Sequence, residues 1–163
     1  MTPADWNALP AADFVARLRT LFEHSPWVVE RAAAQRPFAD LHAGLLQVLQ
    51  AASPDEQLAL IRAHPELAGK AALGAGLTAA SAAEQAHAGL DSLSAEEFAR
   101  FHALNAAYRE RFGFPFVICV RLTDRAGILA AMQARLGNTR EHEIATALAE
   151  IGQIVRLRLE ALA

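Results

Sequence analysis

The chain has 163 residues, of which 53% are hydrophobic and 20% are charged. This composition excludes an intrinsically disordered chain, which would bury too little apolar surface to offset its ordering entropy, and the length suits one domain over residues 1–163. The formal net charge of -3 leaves no excess of Lys and Arg, so neither nucleic acid nor an anionic membrane surface is an expected partner.

One cysteine is present, Cys119, so the chain cannot form an internal disulfide, and no Cys/His zinc spacing surrounds it. The first ten residues lack the basic and apolar regions of a signal peptide, and the last four lack a Ser-Lys-Leu-type peroxisomal address. No apolar run is long enough to span a bilayer. We therefore expect a cytoplasmic protein.

Helix-start patterns recur along the chain, because a capping side chain precedes an apolar-periodic run in four places. These places are Ser25-Pro26, Ser53-Pro54 with Glu56, Ser94 with Glu97, and Asn138 with Glu141. The apolar stripes at helical spacing are Phe14, Leu18, Leu21 and Phe22; Leu41, Leu45, Val48 and Leu49; Phe98, Phe101, Leu104, Ala107 and Tyr108; and Ile144, Leu148, Ile151, Val155 and Leu159. The sequence therefore predicts an all-α, single-domain bundle of seven or eight helices, broken by glycines in residues 66–76.

The first candidate for chemistry is His64, in the sequence His-Pro-Glu-Leu at the predicted end of the helix that begins after Ser53. Pro65 disfavours the α conformation for His64, and the negative end of the helix dipole favours a protonated imidazole. A protonated histidine can act as a general acid. A surface histidine that caps the helix is the commoner explanation of this feature alone.

The second candidate is the polar set Ser81, Glu84 and Gln85, in the sequence Ser-Ala-Ala-Glu-Gln. Spacings of three and four residues place a hydroxyl, a carboxylate and an amide on one face of a helix that opens near Thr78. Alanines around them leave room for a small polar heterocycle. Read in isolation, the segment is more often an ordinary solvated helix face.

The third candidate is the run Phe112 to Val120, whose portion from Phe114 looks strand-like. One short run that contains a proline cannot build a sheet, so we expect an extended connection packed among helices. Its backbone groups then need partners, since a buried unpaired group costs roughly 1–3 kcal/mol, and a ureido or imidazolone ligand could supply them. Plain core filling is the alternative. Cys119 is interpreted as a small buried hydrophobe rather than a nucleophile.

Metal chemistry is not expected. Glu84 and His87 form a Glu-x-x-His pair of the kind found in di-iron bundles, but the sequence has no second copy. Zinc-protease, phosphate-loop and nucleophile-elbow motifs are also missing.

Taken together and in order, these motifs resemble the OHCU decarboxylases, where OHCU is 2-oxo-4-hydroxy-4-carboxy-5-ureidoimidazoline. The likeness extends from about residue 10 to the C-terminus. It is carried by His-Pro-Glu-Leu at 64–67, Ser-Ala-Ala-Glu-Gln at 81–85, Asn105, Tyr108, Phe112-Gly113-Phe114-Pro115-Phe116, and Arg-Leu-Arg-Leu at 156–159, with flanking pieces at 22–28 and 138–141.

The resemblance implies a cofactor-free, metal-free homodimer that decarboxylates OHCU to (S)-allantoin during urate degradation, a branch of purine metabolism. It implies that His64 is the catalytic proton donor and that Glu84 orients the substrate. The substrate-binding residues that it implies are Pro65, Ser81, Gln85, Phe116, Val117, Ile118, Cys119, Val120 and Arg158, although Arg156 competes with Arg158 in the alignment.

Two other classes of function remain open from the sequence. A non-catalytic helical module for ligand binding or assembly is one, because each motif is weak when taken alone. A metal-dependent helical enzyme that uses Glu84 and His87 is the other.

Overall fold

The computed structural model describes residues 1–69 and 77–162, and the described residues form helices and connections without a β-strand. The helices in these two ranges are α1 Pro3–Ala8, α2 Ala11–Leu18, α3 Trp27–Gln35, α4 Leu41–Ala51, α5 Pro54–Arg62, α6 Ala79–His87, α7 Ala95–Phe112, α8 Arg125–Arg135 and α9 Arg140–Leu162. All except α1 have at least 8 residues, which confirms the predicted all-α bundle. Most of the predicted glycine-rich break falls outside the described residues.

The chain divides into two compact units, Met1–Ala63 with Gly152–Ala163, and His64–Ile151. In the first unit, α2 packs against α3 and α3 against α4. The largest buried side chains of that unit include Phe14, Leu18, Leu21, Phe22, Leu45, Leu49, Leu60 and Ile61, and those of the second include Phe101, Tyr108, Phe114 and Phe116. All but one of the predicted site residues belong to the second unit, and Arg158 belongs to the first.

Two predicted helix starts are confirmed in full. Ser53 and Glu56 form a reciprocal capping box at α5, and Ser94 and Glu97 form another at α7. Each box satisfies backbone N–H groups that the first helical turn leaves without partners. The α6 start near Thr78 is also confirmed, since the Thr78 hydroxyl accepts from the Ser81 N–H at 3.2 Å.

The other two caps were predicted wrongly. Ser25 does not cap α3, because its hydroxyl donates to the Glu23 carbonyl at 2.9 Å and Pro26 occupies the N-cap position. Asn138 does not cap α9 either. Thr139 accepts there from the His142 N–H at 3.1 Å, while the Asn138 amide donates to Glu143. Adjacent residues compete for a cap, and in both cases the predicted side chain bonds another group nearby in sequence.

The end of α7 directs the chain into the third predicted segment. Gly113 adopts a left-handed conformation with φ 80°, and its N–H donates to the Arg109 carbonyl at 2.8 Å. Only glycine takes this conformation without a steric penalty. The chain then runs without helix to a short 3-10 turn at Val120–Leu122, which confirms the predicted extended connection.

The buried stripe of α7 differs in part from the prediction. Phe101 and Tyr108 are buried, but Ala107 is exposed, and Asn105 and Phe112 complete the stripe instead. Among the described helices, none is long and apolar enough to cross a membrane.

Candidate active site

His64 lies two residues beyond the last residue of α5 and is only 7% exposed. The alternative that it is a surface cap is therefore wrong. The three residues after Pro65 are held by side chains from two helices of the same unit. The Ala68 N–H donates to Gln85 Oε1 at 3.1 Å, and the Leu67 carbonyl accepts from Asn105 Nδ2 at 2.8 Å.

Helix α6 presents the predicted polar face. Ser81 and Gln85 are 6% and 5% exposed and Glu84 is half-buried, whereas the neighbouring Ala82, Ala83 and Ala86 face solvent. The solvated-face alternative is thus wrong for the first two residues. Gln85 Oε1 accepts one hydrogen bond from Ala68, which leaves one oxygen lone pair and the amide nitrogen as the groups that could contact substrate.

Side chains of the protein form hydrogen bonds with two backbone groups of the extended segment. The Val117 carbonyl accepts from Arg135 Nη1 at 2.9 Å, and the Cys119 N–H donates to Glu150 Oε2 at 3.3 Å. The sequence had suggested that a ligand supplies such partners. At these two groups, side chains of α8 and α9 do so instead.

Cys119 is buried, and burial raises the pKa of its thiol, with the carboxylates of Glu150 and Glu84 adding to the rise. A thiol with a raised pKa stays protonated near neutral pH and is a poor nucleophile. The interpretation as a small buried residue is confirmed.

Helix α6 therefore joins the three motifs. It contacts the His64 loop through Gln85, packs against the turn Val120–Leu122 that ends the extended segment, and carries Glu84. Gln85 is thus linked to the loop that follows His64, and Ser81 and Glu84 lie on the same helix as Gln85, within the second unit.

Arg158 lies in the first unit, where it is buried. Its guanidinium donates to the carbonyls of Thr20 and Leu21 and pairs with the Glu23 carboxylate at 3.4 Å. Arg156 instead pairs with Glu160 on its own helix, partly in solvent. The family resemblance left open which of the two arginines binds substrate, and the structure shows that they differ in burial. The contact of Arg158 with substrate stays a prediction.

Sequence reasoning did not foresee the hydrogen bonds that several buried polar residues form. Tyr108, Arg135 and Asn138 all donate to Glu143, which is fully buried. Arg135 in turn holds Val117, so this group supports the extended segment. A usable signal existed for Asn105, a polar residue within the apolar stripe of α7, but nothing distinguished Glu143 from a solvated acid.

The described part of the chain contains no group of residues suited to a metal ion. Within residues 1–69 and 77–162, no three His, Cys, Asp or Glu residues group closely enough to hold an ion, and His87 is exposed. A cavity of about 320 Å³ opens beside Ala68, but its other lining residues, among them Leu90 and Phe98, lie outside the predicted site. The site is therefore defined by hydrogen bonds rather than by this cavity.

Comparison with known proteins gives a consistent result. A family model described as OHCU decarboxylase matches residues 7–160. The chain is 44% identical over 156 residues to the OHCU decarboxylase of Haloferax volcanii, covering 94% of this chain and 90% of that protein. It is 40% identical over 161 residues to the uric acid degradation bifunctional protein PucL of Bacillus subtilis, covering 97% of this chain and 32% of that protein.

Among solved structures, the fold is similar to a crystal structure of (S)-allantoin synthase, with a TM-score of 0.78 and 29% identity. The match covers 99% of this chain and 53% of that one, so the chain spans about half of the solved protein. The fold is that of a small all-α protein, and the relatives named as decarboxylases place it among the lyases. The chain belongs to the OHCU decarboxylase family and is accordingly a decarboxylase of urate degradation.

Proposed function

We propose that this decarboxylase converts OHCU to (S)-allantoin and CO2 without a metal or an organic cofactor, and that His64 donates the proton. The observation that carries the proposal is the buried hydrogen bond between the Ala68 N–H and Gln85. It joins the loop of His64 to the polar face of α6, so that a proton donor and a set of binding groups belong to one arrangement.

The chemistry of OHCU explains why no cofactor is needed. Its carboxylate is attached to the ring carbon next to a C=N bond. When the bond to CO2 breaks, its electron pair forms a carbon–carbon double bond, and the π electrons of C=N move to the nitrogen, which takes a proton. A second proton is then added to one face of the ureido-bearing carbon while the hydroxyl loses its proton, which gives allantoin.

The protein then has to supply protons and to orient the ring. His64, as imidazolium, protonates the nitrogen, and general acid catalysis of this kind typically contributes about 10²–10⁴ in rate. Glu84 accepts hydrogen bonds from the hydroxyl or ureido N–H groups and so determines which face is protonated. Orientation is efficient here because the reacting groups are held in a fixed arrangement.

The remaining contacts follow the family resemblance. Pro65, Ser81 and Gln85 bind the ring and the ureido group, and Arg158 binds an anionic group. In the segment 116–120, the Cys119 N–H and the carbonyls of Val117, Cys119 and Val120 have protein partners, so the other backbone groups are the ones left for substrate.

We also propose that the active form is a homodimer located in the cytoplasm. Light scattering on a size-exclusion column measures the mass directly. A mass equal to that of one 17.5 kDa chain at all concentrations would contradict the dimer.

The reaction itself is tested with freshly generated OHCU, followed by circular dichroism of the allantoin formed. We expect OHCU to decay faster with the protein than without it, and the allantoin formed to be a single enantiomer. Decay at the spontaneous rate, or racemic allantoin, would leave only a binding role. Exhaustive chelation is the second arm: activity that disappears and returns with iron or zinc would favour the metal-dependent alternative.

A further inference from the structure

Asn105 is a polar residue inside an apolar helix face. It lies one turn from Phe101 and nearly one turn from Tyr108 on α7 and is 4% exposed. A buried amide is costly unless it forms hydrogen bonds, and among the described residues its Oδ1 has no partner. Its Nδ2 does have one, the Leu67 carbonyl at 2.8 Å. The hydrogen bond to the Leu67 carbonyl is therefore the interaction that the buried amide of Asn105 makes with the rest of the protein.

The Leu67 carbonyl belongs to a short loop, residues 66–68. Each of these three residues forms a contact with a side chain of α6 or α7. Glu66 pairs with Arg109, Leu67 accepts from Asn105, and the Ala68 N–H donates to Gln85. Asn105 and Arg109 are four residues apart and therefore project from one face of α7. The loop is thus fastened between α7 and α6.

The three contacts differ in strength. Arg109 is half exposed, and a surface ion pair of this kind contributes little because water and salt screen it. The Asn105 bond is buried and short, so it is not screened. Ala68 has φ 53°, which a residue other than glycine rarely adopts, so the loop needs outside contacts to keep this conformation.

The loop is connected to His64 by a stiff link. Only Pro65 and Glu66 separate His64 from Leu67, and proline fixes its own φ and restricts the residue before it. A shift of the Leu67 carbonyl is therefore transmitted to the imidazole rather than absorbed between them.

We propose that Asn105 is a positioning residue for His64, which it orients by donating to the Leu67 carbonyl, and that it does not touch the substrate. The inference rests on the proposed proton-donor role of His64. The side chain of Asn105 acts through the loop, whereas Glu84 and Ser81 on α6 bind the ligand directly.

The variant Asn105→Asp tests this, because it keeps the shape and replaces the N–H donor with a carboxylate oxygen that faces the Leu67 carbonyl. Small misplacements of a catalytic group cost up to about 10²-fold in rate, so we expect kcat to fall about 10- to 100-fold. Affinity for (S)-allantoin should stay at the wild-type value. A fall in affinity parallel to kcat would overturn the proposal and make Asn105 a ligand-binding residue.

The pH profile separates positioning from general destabilisation. When the carboxyl group introduced by N105D is protonated, it regains an O–H donor for Leu67, and burial raises the pKa of a carboxyl group. The ratio of the variant's kcat to that of wild type should therefore rise as the pH is lowered. A ratio that does not change with pH would contradict the hydrogen-bond role.

Asn7→Asp is the matched control, because the Asn7 side-chain amide also donates to a main-chain carbonyl, that of Phe38 at 2.7 Å, in the other compact unit. It should lower stability and leave kcat per folded molecule unchanged. If N105D does not fold, Asn105→Leu is the second variant, because it keeps the volume and removes the donor. It should show the same loss of kcat, and its kcat should not recover at low pH. Wild-type kcat in whichever variant folds would refute the proposal.

Nuclear magnetic resonance of the His64 ring gives a readout that does not need turnover. Its signals, assigned with His64→Asn, should move in N105D and stay in place in N7D. If wild type fails to convert OHCU but the signals move, the proton-donor proposal fails while the positioning contact stands. Signals that do not move would overturn the positioning role itself.

Discussion

The Tyr108 hydroxyl donates a 2.6 Å hydrogen bond to the Glu143 carboxylate, 35 residues away in sequence, and both side chains are fully buried. Burial by itself raises the pKa of Glu143, but the hydrogen bonds from Tyr108, Asn138 and Arg135 outweigh it and lower that pKa below the usual 4.5. The charged form of Glu143 is therefore a stabilising part of the folded protein.

Tyr108→Phe should lower the free energy of unfolding at neutral pH by about 1.5–3 kcal/mol, the range for a hydrogen bond to a charged group. Because the pKa of Glu143 is depressed on folding, its contribution is complete above 4.5 and is lost as the pH falls through the folded value. The difference between wild type and variant should shrink in that acidic range. Urea unfolding at several pH values measures both, and a difference that stays constant down to acid would contradict the role of this bond.

His64→Asn should leave the fold intact, because asparagine is a smaller polar side chain that fits the same buried position, yet it should remove most of the turnover. Circular dichroism checks the fold, and OHCU decay checks the rate. A variant that keeps more than about a tenth of wild-type kcat, which corresponds to a loss of under roughly 1.4 kcal/mol in transition-state stabilisation, would contradict the proton-donor role.

Glu84→Gln keeps the shape of the side chain and removes its charge. One acceptor oxygen becomes a donor that faces a substrate N–H or O–H, so turnover and (S)-allantoin affinity should fall together. A charge-assisted hydrogen bond is worth roughly 1.5–3 kcal/mol, so we expect affinity to drop about ten- to a hundredfold. Calorimetric titration measures it, with the exposed Glu96→Gln on α7 as control. Unchanged affinity and turnover would mean that Glu84 does not contact the ligand.

Cys119→Ala should be nearly silent in catalysis and mildly destabilising through lost packing. Since burial raises the pKa of the thiol, iodoacetamide should react slowly with the native protein. Rapid stoichiometric inactivation that (S)-allantoin prevents would instead indicate covalent catalysis by Cys119.

Local sequence signals predicted the helices well because their causes are local. Ser53 with Glu56 and Ser94 with Glu97 satisfy first-turn N–H groups within four residues, so no distant contact was needed to recognise them. The caps at Ser25 and Asn138 were predicted wrongly although their actual partners are also near in sequence, two and five residues away. Each side chain had a competing partner, and for Asn138 that partner is a carboxylate whose burial the sequence does not reveal.

The site shows the same limit. His64 and the face of Ser81, Glu84 and Gln85 were visible because proline placement and helical spacing are short-range patterns. The contact of Asn105 with Leu67 joins residues 38 apart, and no periodicity encodes it. Sequence patterns therefore located the groups proposed for chemistry, and the structure was needed to find those that hold them in place.

Glu143 uses both carboxylate oxygens, one for Tyr108 and Arg135 and the other for Asn138. Replacing it alone would strand a buried guanidinium, and breaking such a pair typically costs about 3–5 kcal/mol, whereas an apolar replacement of all the members together can be neutral. Substitutions at these positions are consequently non-additive. During evolution, the four residues are therefore expected to change together. A stepwise replacement of the group by apolar residues passes through less stable intermediates, so sequences that keep all four or replace all four are favoured.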